Sequence, residues 1–221
     1  MGVRMEWSDF RDFGLYLVTD QDLCLGRPIV DVVLQAVQAG VQAVQIREKN
    51  NNTRDFLALA KVLVKEVQVK YNIPVIINDR VDIALACGAS GVHLGQSDMP
   101  IADARKLMGT RRIIGITAPT MPDLEQAIKE EVQYIAVSPV FPTNTKKDTA
   151  PGWGLEGMRK ARAFMDEKHC TIPLMTIGGI NTQNAKEILN TGVESIAVVS
   201  AICSAPNIDE TVKEFLRAFQ K

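Results

Sequence analysis

The chain has 221 residues, 46% of them hydrophobic and 23% charged, with a formal net charge of −1. That balance supports one sizeable core, and the lack of a long basic run argues against a nucleic-acid partner. No apolar stretch approaches the ~20 residues of a membrane span, and residues 1–13 (MGVRMEWSDFRDF) are too polar for a secretory signal. Cys24, Cys87, Cys170 and Cys203 stand far apart with no CxxC pair, which predicts free buried thiols in a reducing compartment and hence a cytoplasmic protein.

Leu15–Thr19 (LYLVT) reads as a strand ending at Asp20, and Pro28 starts a helix to Ala39 that Gly40 stops. Val41–Ile46 is a second strand running into Arg47-Glu48-Lys49. Thr53 is expected to cap a helix to about Lys70, with Phe56, Leu57, Ala60, Val64 and Val67 on one stripe. Pro74–Ile77 and Gly91–Leu94 are short apolar runs of the kind buried on both faces of a parallel sheet, with a helix over Val81–Cys87 between them. A helix over Ile101–Met108, a strand over Arg112–Ile116, a helix over Pro122–Lys129 and a strand over Tyr134–Val137 follow.

Ser138–Gly154 (SPVFPTNTKKDTAPGWG) has neither helical nor strand periodicity, and a loop of that length in a compact domain is usually functional. Its prolines, Pro139, Pro142 and Pro151, favour an ordered lid. The alternation then resumes with a helix over Leu155–Lys168, a strand over Pro173–Ile177, Gly178-Gly179 and a helix over Thr182–Asn190. A strand over Ser195–Val199 and a helix over Asp209–Phe219 complete it. Eight strand–helix units with no composition shift between halves predict an α/β chain forming a single domain over residues 1–221. The architecture expected is a closed (β/α)8 barrel, the TIM-barrel form. The competing open doubly wound sheet lacks a GxGxxG fingerprint after its first strand.

On a barrel the ends of the strands carry the chemistry. Asp79 and Asp98 each follow a strand, and two carboxylates on one rim suggest a hard cation, Mg²⁺, shared with a phosphorylated substrate. The alternative is that each caps the next helix. Gln45, Arg47 and Lys49 alternate along one side and suit a pyrophosphate plus a polar ring, with Glu48 structural. In the long loop, which also carries Asp148, Thr143, Thr145 and Lys146 are phosphate donors and Lys147 is solvated. Gly178-Gly179 and Val199-Ser200 occupy the usual phosphate site of this architecture. Thr117 offers a hydroxyl or a cap. His93 reads as a satisfied interior histidine and His169 as a helix-end residue. No nucleophilic triad can be assembled.

LYLVTD, QIREK, IINDRVDIAL, GVHLGQSD, SPVFPTNTKKD, GWGLEG, IPLMTIGGI and VVSAI together resemble the thiamine phosphate synthase family, in order from Leu15 to Ile202, with residues 1–13 outside the match. The resemblance implies a transferase acting on two small molecules. It would join 4-amino-2-methyl-5-hydroxymethylpyrimidine diphosphate to a thiazole phosphate and release pyrophosphate by Mg²⁺-assisted dissociative displacement. The resemblance puts the pyrimidine-diphosphate contacts on Gln45, Arg47, Lys49, Asn78, Thr117 and Lys146. It puts Mg²⁺ on Asp79 and Asp98, and the thiazole phosphate on Thr143, Thr145, Gly179, Val199 and Ser200. Arg47, Lys49 and Lys146 would stabilise the departing diphosphate. Thr117 stands where many relatives have serine, and Pro119 where many have histidine. A thiazole-phosphate isomerase of the same superfamily would be expected to lose part of the diphosphate set, which this chain keeps. A non-catalytic sensor barrel finds no DNA-binding motif in its support. The sequence leaves a homo-oligomer open.

Overall fold

Short apolar strands alternating with amphipathic helices have one economical burial: strands in the middle, helices outside. The computed structural model describes residue 7, residues 13–142 and residues 152–220. It shows eight parallel strands paired β1-β2-β3-β4-β5-β6-β7-β8 and closed back on β1. The strands are β1 (Leu15–Val18), β2 (Ala43–Ile46), β3 (Val75–Asn78), β4 (Gly91–Leu94), β5 (Ile113–Ala118), β6 (Tyr134–Val137), β7 (Leu174–Ile177) and β8 (Ser195–Val198). Around them lie α1 (Ile29–Ala39), α2 (Thr53–Leu63), α3 (Val81–Cys87), α4 (Ile101–Met108), α5 (Met121–Ala127), α6 (Gly154–Glu167), α7 (Ala185–Leu189), α8 (Ser200–Cys203) and α9 (Ile208–Ala218). The (β/α)8 barrel expected from the sequence is the fold observed. Among the described residues no helix is long and apolar enough to cross a membrane.

The two-residue period of each strand sorts its side chains into two cores. Leu15, Leu17, Val44, Ile46, Val75 and Ile77 point outward into the layer between sheet and helices. Tyr16, Val18, Ala43, Ile76, Ile113, Tyr134, Ala136, Met175 and Ala197 point inward and fill the barrel. Phe13 and Trp7 belong to that inner cluster and cover the end of the barrel where the strands begin. Trp7 is held there by its backbone N–H, 3.1 Å from the Arg111 carbonyl.

Several local boundaries differ from the sequence expectation. Asn52, rather than Thr53, caps α2 by accepting the Asp55 N–H, and the helix continues beyond Leu63 as a π-helical stretch over Val64–Val69. Strand β5 extends to Ala118, so Thr117 lies within it. The helix expected from Thr182 begins at Ala185, because the Asn181 side chain captures the Gln183 and Asn184 N–H groups in a turn. The short α8 was not foreseen. All four cysteines are free, as expected, but only Cys24 and Cys203 are buried, while Cys87 and Cys170 are partly exposed. The contact between the Cys24 and Cys203 thiols brings together residues far apart in sequence.

The inner core is set by one pairing. Gly115 on β5 is in register with Tyr134 on β6, and a Cβ at residue 115 would fall inside van der Waals contact of the Tyr134 ring. Gly115→Ala should therefore lower stability by about 1–3 kcal/mol, the usual range for overpacking a filled core. The check is the midpoint of a urea melt at unchanged slope.

Candidate active site

The rim at the strand C-termini encloses a cavity of about 380 Å³. Gln45, Arg47, Lys49, Asn78, Asp79, Asp98, Thr117, Gly179, Val199 and Ser200 all line it. Thr143, Thr145 and Lys146, with Lys147, Asp148 and Pro151, lie outside the described residues. Sequence reasoning missed Tyr16, Val18, Gln96, Ser97 and Met175, which also line the cavity. Tyr16, Val18 and Met175 sit on the inward face of their strands, a register that an uninterrupted apolar run does not announce.

Each charged residue is placed by the strand before it. Asp79 follows β3 with a left-handed backbone, φ 62°, and its N–H donates to the His93 carbonyl at 2.8 Å. Its carboxylate pairs with the Lys49 ammonium. Position 80 caps α3 with no side-chain bond, so Asp79 does not serve as the cap. Asp98 closes its own loop by accepting the Gly95 N–H at 2.7 Å, while Pro100 precedes α4, so Asp98 does not cap that helix either. Arg47 emerges from β2 with its N–H on Thr19 Oγ1 at 3.1 Å and its guanidinium 3.3 Å from Asp20. The position of Asp20 one residue past Thr19 could have suggested that partner.

Thr117 does not cap a helix. Its hydroxyl lies 2.7 Å from His93 Nε2, and α5 is capped by the Thr120–Asp123 capping box. His93 is buried in the interior as expected, yet it also reaches the cavity wall. His169 follows α6 in a left-handed conformation, φ 52°. Gly178 and Gly179 have φ of 113° and 66°, and a Cβ on either would collide with the Pro139–Phe141 segment. Both backbone conformation and close packing therefore require glycine there. Val199 stands at the cap position of α8 and Ser200 begins it. Pro119 lines the cavity without offering a side-chain donor.

Burial pushes the Asp98 carboxyl above the usual carboxylate range, and the facing Asp79 carboxylate pushes it further, against the pull of the Gly95 N–H and Lys49. Glu48 is half-buried, its carboxyl also raised, first by burial and then by Asp20. Among the described residues no group of three or more His, Cys, Asp or Glu is set to hold a metal. Asp79 and Asp98 offer hard oxygen donors of the kind that hold a cation taking its other ligands from water and phosphate.

The strain in that pair has a sign that can be measured. A carboxyl with a raised folded-state pKa contributes stability that is lost as pH rises through that pKa, because the native state must then hold an unfavourable charge. In metal-free buffer Asp98→Asn, which keeps an acceptor for the Gly95 N–H, should raise the melting temperature at pH 7. The gain should shrink as the pH approaches 4. A melting temperature lowered at pH 7 would mean that the two carboxylates do not repel.

Comparison with known proteins agrees with this geometry. Residues 15–202 match the family model described as thiamine monophosphate synthase. A thiamine-phosphate synthase of Albidiferax ferrireducens is 52% identical over 191 residues, covering 86% of this chain and 84% of that protein. One from Clostridium novyi is 46% identical, covering 91% and 96%. The solved structure of thiamine phosphate pyrophosphorylase from Pyrococcus furiosus superposes with a TM-score of 0.83 at 36% identity, covering 94% of this chain and 96% of that one. A closed barrel whose rim gathers an arginine, a lysine and two facing carboxylates, matched at this identity over most of its length, belongs to the thiamine monophosphate synthase family.

Proposed function

We propose that the chain is a transferase that joins 4-amino-2-methyl-5-hydroxymethylpyrimidine diphosphate to thiazole phosphate, giving thiamine phosphate and pyrophosphate. The observation that carries this reading is the meeting of Arg47, Lys49, Asp79 and Asp98 in one cavity mouth. The cations suit a diphosphate, and the carboxylate pair is the donor set that would hold a divalent ion. A cytoplasmic site of action is part of the same proposal.

The chemistry asks little of the protein beyond charge and position. The bond from the pyrimidine methylene to the diphosphate oxygen breaks, and the electron pair leaves with pyrophosphate. The thiazole nitrogen then donates its lone pair to the methylene carbon, so no protein base has to remove a proton. Arg47 and Lys49 stabilise the charge that grows on the leaving group. Asp20 holds the guanidinium in place, as Asp79 does the ammonium. Mg²⁺ held by Asp79 and Asp98 would neutralise further diphosphate charge. Gly179 and the Val199–Ser200 turn, on the far strands of the cavity, suit the thiazole phosphate.

The direct experiment is pyrophosphate release in the presence of both substrates, with and without Mg²⁺. Release that needs neither the thiazole phosphate nor Mg²⁺ would overturn the reading. Arg47→Ala should lower kcat and kcat/KM together by about a hundredfold, as expected for a donor that acts on transition-state charge. Asp79→Asn and Asp98→Asn should each lose turnover on the same scale while remaining folded by circular dichroism, and each should need more Mg²⁺ for half-maximal rate.

A further inference from the structure

Beneath the cavity, among the described residues, a chain of side-chain hydrogen bonds crosses the barrel interior. Gln45 Nε2 lies 3.0 Å from the Tyr16 hydroxyl, which lies 3.0 Å from the Tyr134 hydroxyl. The Tyr134 hydroxyl lies 2.8 Å from His93 Nδ1, and His93 Nε2 lies 2.7 Å from Thr117 Oγ1. The His93 and Tyr134 rings stack 5.5 Å apart, 17° from parallel. Gln45 and Thr117, at the two ends, line the cavity, whereas Tyr134 is wholly buried.

The proton order along this chain follows from its first member. An amide NH₂ only donates, so the Tyr16 oxygen accepts and its own hydrogen goes to Tyr134. Tyr134 then donates to His93 Nδ1, which leaves the imidazole proton on Nε2, and that proton goes to Thr117. The opposite order would strand the Tyr16 hydrogen in the core, at the cost of an unmade buried hydrogen bond. Burial holds both phenols well above their ordinary range, so each keeps the hydrogen that the chain requires. The Gln45 carbonyl oxygen is left as an acceptor for a cavity occupant, and the Thr117 hydroxyl as a donor.

We infer that Tyr16, Tyr134 and His93 are positioning residues that fix the polarity of the cavity floor, acceptor at Gln45 and donor at Thr117. The floor thereby selects a heterocycle with an exocyclic N–H donor and a ring-nitrogen acceptor over its oxo counterpart. The assignment of the occupant as an aminopyrimidine rests on the proposed function; the polarity does not. An oxo-pyrimidine offers the reverse pattern, a carbonyl acceptor beside a ring N–H, and meets like against like at both ends.

The chain has two histidines, one buried and one exposed, so nitrogen NMR of protein labelled at the imidazole nitrogens reads His93 directly. The expected signature in the wild type is a neutral His93 protonated at Nε2, and Tyr134→Phe should release it into a mixture of tautomers. Calorimetry without thiazole phosphate should show the amino-pyrimidine diphosphate binding the wild type at least about tenfold more tightly than the 4-oxo analogue. In Tyr134→Phe that preference should fall to within about threefold, which a loss of packing alone would not bring about. Thr117→Val, which removes the terminal hydroxyl, should lose the same preference and serves if Tyr134→Phe does not fold. A wild-type His93 protonated at Nδ1, or an amino-to-oxo ratio that neither variant changes, would overturn the inference. Binding of neither diphosphate, with the Nε2 tautomer intact, would instead overturn the proposed function and leave the polarity standing.

Discussion

The ring of Tyr134 occupies space that only a glycine at position 115 leaves free, and much of the molecule is arranged by that contact. Gly115 and Tyr134 are register partners on adjacent strands, so a large inward side chain lies against a position that has none. Phe13 packs on the same ring, with centroids 4.7 Å apart, and His93 stacks on it. A barrel interior must be filled at close to crystal density, and here one bulky phenol does what several aliphatic side chains would otherwise share. Because that side chain carries a hydroxyl, filling the core also brings in a polar group. The hydrogen-bonded row from Gln45 to Thr117 is how the structure satisfies it.

Above that floor the charges are arranged in opposition. Arg47 rests against Asp20 and Lys49 against Asp79, so each cation is held by a carboxylate that a phosphate can relieve. Asp98 faces Asp79, and burial together with that carboxylate raises its carboxyl above the usual range. The outward faces of the strands are packed almost wholly by apolar side chains, and Thr176, the buried polar residue among them, donates its hydroxyl to the Val137 carbonyl.

The fold was legible in the sequence because its signal is repeated: eight apolar runs, each followed by a helical stripe, leave little else to build. Asp79, Asp98, Arg47 and Lys49 were legible as rim residues for a related reason, since a position in the first few residues after a buried strand implies the rim. The boundaries that differed were decided by single side chains. Asn52 caps α2 in place of Thr53, and Asn181 delays α7 by capturing two backbone N–H groups. Tyr16 and Met175 were not legible as cavity residues, because a run buried on both faces carries no polar mark of which side faces inward. The alternation of Gln45 with Ile46 gave that phase for β2; in β1 it came only with closure of the barrel. Which way His93 and Thr117 point is likewise a property of neighbouring strands rather than of either segment alone.

Trp7 and Phe13 cover the end of the barrel where the strands begin, and this bears on traffic as much as on stability. Among the described residues the barrel is covered at that end and opens at the other rim, with the row from Gln45 to Thr117 on the floor of the cavity. A molecule resting on that row lies deeper in the cavity than one held by the Gly179 and Ser200 backbone at the rim. Depth alone then assigns the two positions, the inner one to the ring that the strand side chains read and the outer one to the group that the rim backbone holds.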